Sequence, residues 1–273
     1  MLRIIFWNVN KKDLTDLVCS MAASTDVDAV VLNENIVPLE DTCRSLQENV
    51  SEDFYFPSAF VSSNKRFHCF CRNRKLDLSE VHSGFRTSVR KLHIGRHRTL
   101  LALVHGVDMR NYNSATQQSF AQSLADDMRF VQEQQGTKRM IFLGDFNMNP
   151  YDDGMNLAAG LNAMMTKTCV APGYRRHLNK HYEFYYNPMW SLFGDNTDGP
   201  AGTIYDTSSQ GPYGWSMLDQ VVIHHSIVEL FHGVKILTEA GTVSLRNDKG
   251  HPDSNNASDH FPILVTFDGE NDG

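Results

Sequence analysis

Residues 139–150 read Arg-Met-Ile-Phe-Leu-Gly-Asp-Phe-Asn-Met-Asn-Pro, and the rest of the chain can be organised around this stretch. The apolar run that ends at Gly144, soon followed by a proline, is typical of a buried strand with polar groups at its carboxyl end. On an extended chain Asp145 and Asn147 point to one side and Phe146 to the other. We therefore expect the carboxylate and the amide to lie together at a sheet end, with Phe146 in the core. An Asx-rich turn without a catalytic role is the alternative.

The 273 residues carry a formal net charge of -7 and are 41% apolar. The acidic balance excludes binding to nucleic acid through overall charge. Five cysteines without a repeating spacing argue against a disulfide framework or a structural zinc site. No apolar run has transmembrane length, and the first apolar run is too short for a signal segment. We expect a soluble cytoplasmic protein without membrane contact, and nothing in the sequence indicates a protein partner.

The hydrophobic pattern predicts an alternation of strands and helices. Aromatic and β-branched pieces between residues 54 and 98 predict an antiparallel meander. No linker or repeat interrupts the chain, so we expect one domain over residues 1–268 and a disordered acidic tail at residues 269–273. The strands are expected at 2–7, 28–32, 99–104, 140–144, 217–223 and 263–267, and the helices at 14–21, 38–50, 114–135 and 155–165.

A basic region interrupts this acidic chain. Residues 64–98 hold ten lysines and arginines against Asp77 and Glu80, a net charge of +8 that leaves -15 for the remainder. Such a region indicates an anionic partner, and a solvated loop face is the alternative.

Polar side chains follow most of the predicted strands at the point where each strand ends. They occur in six short motifs: Trp-Asn-Val-Asn (7–10), Leu-Asn-Glu (32–34), Val-His-Gly (104–106), Gly-Asp-Phe-Asn-x-x-Pro (144–150), Leu-Asp-Gln (218–220) and Ser-Asp-His (258–260).

In this order the six motifs resemble the endonuclease/exonuclease/phosphatase superfamily, over residues 4–267. The resemblance implies an α/β fold, a four-layered α-β-β-α sandwich of two mixed β-sheets with outer helices. It places the active site at one end, between the sheets.

The resemblance also implies metal ligands. Glu34 would be the main ligand of Mg²⁺ or Mn²⁺, with Asn10 and Asp259 completing or supporting the shell. Hard oxygen donors of this kind suit either ion. Some members of the superfamily have an aspartate where Asn10 stands, which weakens one expected metal contact.

The remaining motif residues take catalytic roles by the same resemblance. Asp145 would orient or deprotonate the attacking water, with Asn147 and Asn8 positioning it and the phosphate. His260 would bind the phosphate as an imidazolium, and Asp219 would hold its other ring nitrogen and raise its pKa.

His105 would contact the phosphate or the leaving oxygen. Apurinic endonucleases of this superfamily carry a tyrosine where His105 stands and an arginine where Met217 stands, which argues against that activity here. Asn33 replaces the glutamine or threonine that usually precedes the metal-binding glutamate.

Four further residues are weaker candidates for substrate contacts: Arg175, Arg176, Tyr205 and Trp215. Aromatic side chains near a nuclease site can stack on bases, although they also commonly fill the core.

The function expected first is a metal-dependent nuclease acting on DNA or RNA by in-line attack of water. A phosphatase or phosphodiesterase on a small or lipid-linked phosphate, of the inositol phosphate, nucleotide or sphingomyelin type, is the alternative. A third possibility is a binding module that has lost catalysis, but such a module has no need of Asp145 and His260 together.

Overall fold

The computed structural model describes residues 1–59, 66–73, 76–208 and 213–269. Among the described residues most strands are short, and one helix of 22 residues is long. The strands are β1 (Leu2–Asn8), β2 (Ala29–Asn33), β3 (Phe67–Cys71), β4 (Glu80–Gly84), β5 (Thr87–Ile94), β6 (His97–His105), β7 (Met140–Asp145), β8 (Ala163–Met164), β9 (Tyr174–His177), β10 (Lys180–Glu183), β11 (Tyr185–Tyr186), β12 (Ile204–Asp206), β13 (Gly214–Ser216), β14 (Asp219–His224), β15 (Phe231–Ile236), β16 (Glu239–Ala240), β17 (Val243–Ser244) and β18 (Ile263–Phe267). The helices are α1 (Thr15–Thr25), α2 (Leu39–Asn49), α3 (Ser114–Gln135), α4 (Asp153–Asn156) and α5 (Lys167–Val170), and two 3₁₀ helices cover Pro188–Leu192 and His225–Leu230.

Two large sheets form the centre of the molecule, and both are mixed. The first has five strands in the order β15-β18-β1-β2-β3, with β1 and β2 parallel. The second has seven strands in the order β4-β5-β6-β7-β14-β11-β8, in which β6 and β7 run parallel and β14 runs antiparallel to β7.

Alternate residues of the central strands face opposite sides, as the pleat requires. Ile4 and Phe6 of β1 share one buried cluster with Ile141 and Leu143 of β7, so the two sheets pack face to face. The intervening residues face outward: Trp7 packs under α1 and α2, and β7 packs under α3. The four-layered sandwich of two mixed sheets with outer helices is thereby confirmed.

This topology brings the carboxyl ends of β1, β2, β6 and β7 to one end of the sandwich. Parallel pairing aligns Asn8 with Asn33 and His105 with Asp145. The antiparallel strand β14 begins at the same end, where Asp219 is opposite Asp145.

Glycine is required where the chain passes close to a neighbouring strand at this end. A β-carbon on Gly144 would lie 1.9 Å from the carbonyl oxygen of Val104. One on Gly106 would lie 1.9 Å from the carbonyl oxygen of Phe146. The lack of a side chain at both glycines lets the end of β6 lie directly against β7 and the turn that follows it. Phe146 is fully buried, as the sequence predicts.

The predicted helix over residues 155–165 is wrong. Helix α4 ends at Asn156, and Ala163 and Met164 form a short strand. The chain folds back on itself here because the amide of Leu161 donates to the carbonyl of Gly154, and Asn162 has a left-handed φ of 51°. Apolar residues at helical spacing therefore fill the core from a compact turn.

The predicted meander is present in part. Strands β4, β5 and β6 are consecutive antiparallel neighbours, whereas β3 pairs with β2 in the other sheet. The aromatic piece predicted near residues 54–60 makes only an isolated bridge, between Tyr55 and Cys71, in its described part. Residues 60–65, 74–75 and 270–273, which include part of the basic region and most of the acidic tail, lie outside the described residues.

All five cysteines are free thiols, four of them buried. Among the helices that the structure describes, none combines the length and the apolar character needed to cross a membrane.

Candidate active site

A groove of about 720 Å³ opens at the end of the sandwich where the central strands finish. Eight of the nine residues that the sequence analysis placed in the catalytic and metal-binding sets line it: Asn8, Asn10, Glu34, His105, Asp145, Asn147, Asp259 and His260. The ninth, Asp219, is fully buried beside them.

Asp145 ends β7 and is almost completely buried. One carboxylate oxygen accepts a hydrogen bond from the Asn8 side-chain amide at 3.0 Å, and the other accepts from the Asn147 backbone amide at 2.9 Å. Burial raises the pKa of Asp145 above its ordinary value, and the nearby Asp219 adds to the rise while the charge of His260 opposes it. A carboxylate with a raised pKa is a better proton acceptor than an exposed one near neutral pH.

His260 lies on the loop before β18 and is held from three sides. Its Nδ1 is 2.8 Å from Asp219 Oδ2, so the contact that the sequence predicts is present. Its backbone amide donates to Ser258 Oγ, and its carbonyl accepts from the Trp7 indole at 2.8 Å. These contacts fix the ring and leave Nε2 as the nitrogen available to a ligand in the groove.

The charge of His260 follows from its neighbours. Burial by itself lowers the pKa of His260, but the carboxylates of Asp219 and Asp145 outweigh it and raise the pKa to about 10. The ring is therefore an imidazolium at neutral pH, and its Nε2–H can donate to an anion. Asp219 Oδ1 is buried and has no hydrogen-bond partner among the described residues.

His105 has the opposite character. Burial, followed by the positive charges of Arg86 and Arg66, lowers the pKa of His105 to about 3. The neutral ring lies with Nε2 at 3.3 Å from Glu34 Oε1 and 4.0 Å from Asp145 Oδ2. Two histidines in one groove thus differ in charge, one as a cation and one as a neutral donor.

Left-handed backbone conformations cluster around the metal-binding candidates. Asn10, Glu34 and Asn147 have φ values of 48°, 56° and 53°. Side chains with a β-carbon seldom adopt this conformation, and where they do it often marks a functional site. Here each left-handed residue directly follows or lies near the end of a strand, which turns its side chain toward the groove.

The donors in the groove fit a hard divalent cation. Glu34, Asp145 and Asp259 offer carboxylate oxygens, and the asparagines at positions 8 and 10 offer amide oxygens. Oxygen-rich sets of this kind suit Mg²⁺ or Mn²⁺. Asp145, Asp219 and His260 also converge closely enough to hold an ion. Asp219 is, however, hydrogen-bonded to the protonated ring of His260, so these two side chains are already partners of each other.

None of the four weaker substrate candidates is among the residues that line the groove, although Tyr205 and Trp215 are next in sequence to lining residues. Arg175 and Arg176 lie on β9. Arg175 donates to the carbonyl of Asn156, and Arg176 donates to the side chain of Asn179. Tyr205 stacks on His251 with ring centroids 3.5 Å apart. Trp215 stacks on Phe261, 6.2 Å between centroids.

Several basic side chains of residues 64–98 form hydrogen bonds or ion pairs with other residues of the chain. Arg90 is buried and donates to the carbonyl of Leu78, Arg72 pairs with Asp26, and Lys91 lies 3.7 Å from Asp77. Arg86 donates to the carbonyl of Gly106 at the edge of the site. The described part of this region therefore does not form one free cationic surface.

Several residues that shape the groove are not predicted by the sequence motifs. Lys11 lies 3.9 Å from Glu34 Oε2, and Arg110 also lines the groove. Two hydroxyl groups outside the lining form hydrogen bonds with the backbone of site residues. Ser258 Oγ donates to the Asn8 carbonyl at 2.6 Å, and Thr203 Oγ1 accepts from the Asp219 backbone amide at 3.1 Å.

Ser258 could have been found, because it belongs to the Ser-Asp-His motif. Thr203 and Arg110 lie on loops without any pattern that distinguishes them, so only the folded chain identifies them.

Comparison with solved structures supports the fold. Truncated Caenorhabditis elegans TDP2 matches with a TM-score of 0.56 and 16% identity, over 97% of each chain. D. rerio TDP2 complexed with single strand DNA product matches with a TM-score of 0.56 and 17% identity, over 98% of each chain. The endonuclease domain of TRAS1, a telomere-specific non-LTR retrotransposon, matches with a TM-score of 0.54 and 12% identity, over 99% of this chain and 100% of that one.

At these identities the likeness establishes the fold alone, and no curated protein sequence matches the chain significantly. The family model is more specific. It matches residues 5–260, a range that begins in β1 and ends at His260. Because this match covers most of the sequence, the chain belongs to the Endonuclease/Exonuclease/phosphatase family.

Proposed function

We propose that this chain is a metal-dependent phosphodiesterase, and that its substrate is DNA or RNA. The observation that carries the proposal is the convergence in one groove of a buried carboxylate, Asp145, and a positively charged histidine, His260, that is held by Asp219. A hydrolase of phosphoric esters needs a base for the attacking water and a donor for the phosphate oxygens. The family match and the likeness to TDP2 and to the TRAS1 endonuclease domain support this class of reaction.

Each side chain has a role in this scheme. Asp145 orients and deprotonates the water, while Asn8 and Asn147 keep its carboxylate in place. His260 donates its Nε2–H to a non-bridging oxygen of the phosphate, where negative charge grows in the transition state. His105, as a neutral donor, lies where it can contact the phosphate or the leaving oxygen.

The same residue set would hold a metal ion. Glu34, Asn10 and Asp259 would bind Mg²⁺ or Mn²⁺, which would neutralise charge on the phosphate oxygens and the leaving group. The left-handed backbone at Asn10 and Glu34 supports this assignment.

Nucleic acid is proposed as the substrate because Lys11 and Arg110 lie in the groove lining, and because D. rerio TDP2 is complexed with single strand DNA product. The same lining favours a second candidate, however. Asp108, Asp152, Asp153 and Asp206 also line the groove, and a row of carboxylates repels a long polyanion. A small or lipid-linked phosphate ester is the second candidate on this observation.

One panel of substrates separates the candidates. Purified protein is incubated with Mg²⁺ or Mn²⁺ and single- or double-stranded DNA, RNA, an abasic duplex, or bis-p-nitrophenyl phosphate. Asp145→Asn is the matched control, because it keeps the shape of the side chain and removes the base. Cleavage of a polynucleotide that Asp145→Asn abolishes supports the nuclease. Hydrolysis of the small diester alone supports the second candidate. If metal ions stimulate the hydrolysis of none of these substrates, both candidates are contradicted.

A further inference from the structure

A second cluster of metal-ligating side chains lies at the opposite end of β14 from the groove. His224 ends this strand, His225 begins the 3₁₀ helix that follows, and Glu183 ends β10. His224 Nε2 lies 3.1 Å from Glu183 Oε2. The two imidazole rings are 4.3 Å apart between centroids, and each of the three residues offers a ligand atom within 4.8 Å of the other two.

The cluster is distant from the proposed chemistry. Asp219 and His224 are the two ends of β14, a six-residue strand. An extended strand rises about 3.3 Å per residue, so roughly 16 Å separates the cluster from the groove. In the part of the chain that the structure describes, this is one of two places where three such side chains converge, and the other belongs to the groove.

The side chains that would bind an ion are themselves held by outer partners. His224 Nδ1 lies 2.8 Å from Ser226 Oγ, and the second oxygen of Glu183 lies 2.7 Å from Lys138 Nζ. Outer partners of this kind orient the ligands of protein metal sites. They also leave Nε2 of His224 and Oε2 of Glu183 directed at each other, and His224 is almost completely buried.

We propose that Glu183, His224 and His225 bind a zinc ion. Two imidazole nitrogens and one carboxylate oxygen are a typical zinc donor set, with water in the fourth position. This set differs from the oxygen donors of the groove, which suit harder ions. Nδ1 of His224 accepts a hydrogen bond from the Ser226 backbone amide at 3.3 Å, so zinc at Nε2 requires the ring proton to move to Nδ1, which would give up that bond and donate to Ser226 Oγ instead. The ring stays neutral in this shift.

The ion would join two separate parts of the chain. Glu183 belongs to the β9–β10 hairpin, and the two histidines belong to the seven-stranded sheet and the helix that follows β14. Zinc would therefore fasten the hairpin to the sheet. Without zinc, the chain Lys138–Glu183–His224–Ser226 is only a row of hydrogen bonds, and that row gives no role to His225.

Zinc binding is measured by titration calorimetry on the full chain, and Co²⁺ replaces zinc for visible absorption spectroscopy. We expect one equivalent that persists in Glu34→Ala, where the carboxylate of the groove is removed. Glu183→Gln and His225→Ala should each weaken this binding by about 100-fold or more, because losing even an outer partner costs about 10- to 100-fold. Ser226→Ala should weaken it by about 10-fold.

The matched control is His232→Ala. His232 is an exposed histidine 3.2 Å from a carboxylate of Asp268, without a third ligand beside it among the described residues. This variant should bind zinc like the wild type, and bound Co²⁺ should show the visible bands of a four-coordinate ion. Circular dichroism verifies that each variant is folded, and His225→Gln replaces His225→Ala if that variant is not. The proposal is wrong if the Glu183 and His225 variants bind zinc as tightly as His232→Ala, or if Glu34→Ala alone removes the binding.

Discussion

Asp219 and His260 are 41 positions apart in the chain, yet Asp219 Oδ2 lies 2.8 Å from His260 Nδ1 beside the floor of the groove. The pair joins the first residue of β14 to the loop before β18, and so joins the two sheets. Asp219 has no exposed surface, and a buried carboxylate is stable only when a cation or hydrogen-bond donors meet it. The pair therefore links the two sheets and keeps a proton on His260.

The first prediction concerns this pair. Asp219→Asn should lower the rate of hydrolysis by about 100-fold or more, with a smaller change in substrate affinity. His260 is active as an imidazolium, so activity is lost as pH rises through its pKa of about 10. Without Asp219 that pKa falls, and the alkaline limb of the pH–rate profile should move to lower pH. The profile of the variant beside wild type measures the shift.

Asp268→Asn is the control for this experiment, because it alters an exposed His–Asp pair whose residues do not line the groove as the structure describes it. It should leave the profile unchanged. The double variant Asp219→Asn with His260→Ala should be little worse than His260→Ala alone. If the two losses multiply instead, the residues act independently and the proposed coupling is wrong.

The second prediction concerns the stability that His260 contributes. Its pKa is raised from 6.5 to about 10 on folding. The corresponding stabilisation is fully present below pH 6.5 and is lost as pH rises through 10. Denaturant unfolding of wild type between about pH 6 and pH 10 should show a loss of stability that is smaller in Asp219→Asn. Equal losses in both proteins would contradict the assignment.

The third prediction concerns Asn8 and the acidic limb of the profile. Asn8 donates to the carboxylate of Asp145, and this hydrogen bond lowers the pKa of Asp145 against the effect of burial. Asn8→Ala removes a hydrogen bond to a charged group, worth about 1.5–3 kcal/mol, so the acidic limb should move up by about one pH unit or more. Asn49→Ala, an exposed asparagine at the end of α2, is the control and should leave this limb in place.

The fourth prediction concerns metal. Removal of divalent ions with EDTA should abolish hydrolysis, and Glu34→Ala should lower it by about 1000-fold, because a metal ion supplies several kcal/mol to such a transition state. Glu34 is partly exposed, so its loss should leave the melting temperature within a few degrees of wild type. Glu48→Ala, an exposed glutamate of α2, is the control. Full activity after exhaustive EDTA treatment would refute the assignment.

The fifth prediction concerns Gly144. A β-carbon there meets the Val104 carbonyl oxygen at 1.9 Å, and backbone cannot move aside at the centre of a sheet. Gly144→Ala should destabilise the protein by about 3 kcal/mol or more. Gly233→Ala is the matched control, because Gly233 is also in a strand and a β-carbon added to it would have no atom within 4 Å among the described residues. Similar unfolding midpoints for the two variants would contradict the steric argument.

Local sequence patterns were sufficient to predict the main strands, and the resemblance carried by the six ordered motifs predicted the class of the fold and most of the groove. The apolar runs of β1, β2, β6, β7, β14 and β18 are short, strongly patterned and bounded by polar residues, so local composition suffices to predict them. Parallel pairing aligns the ends of β1 and β2 in one sheet and of β6 and β7 in the other, so the polar residues that follow these strands lie together within each sheet. His105 and Asp145 could therefore be expected side by side at the end of one sheet, and Asn8 and Glu34 at the end of the other. The meeting of these two ends, and the approach of His260 from the loop before the antiparallel strand β18, followed from the resemblance and depend on how the sheets pack.

Other features depend on contacts that no local pattern encodes. The segment 155–165 has the apolar spacing of a helix but forms a compact turn, because Gly154 and Asn162 allow a close return that core packing favours. Arg90 belongs to a basic run, yet its contact with Leu78 is internal. Thr203 supports Asp219 from a loop without a motif. In each case the deciding partner lies beyond the local pattern, and such a contact is settled only when the whole chain packs.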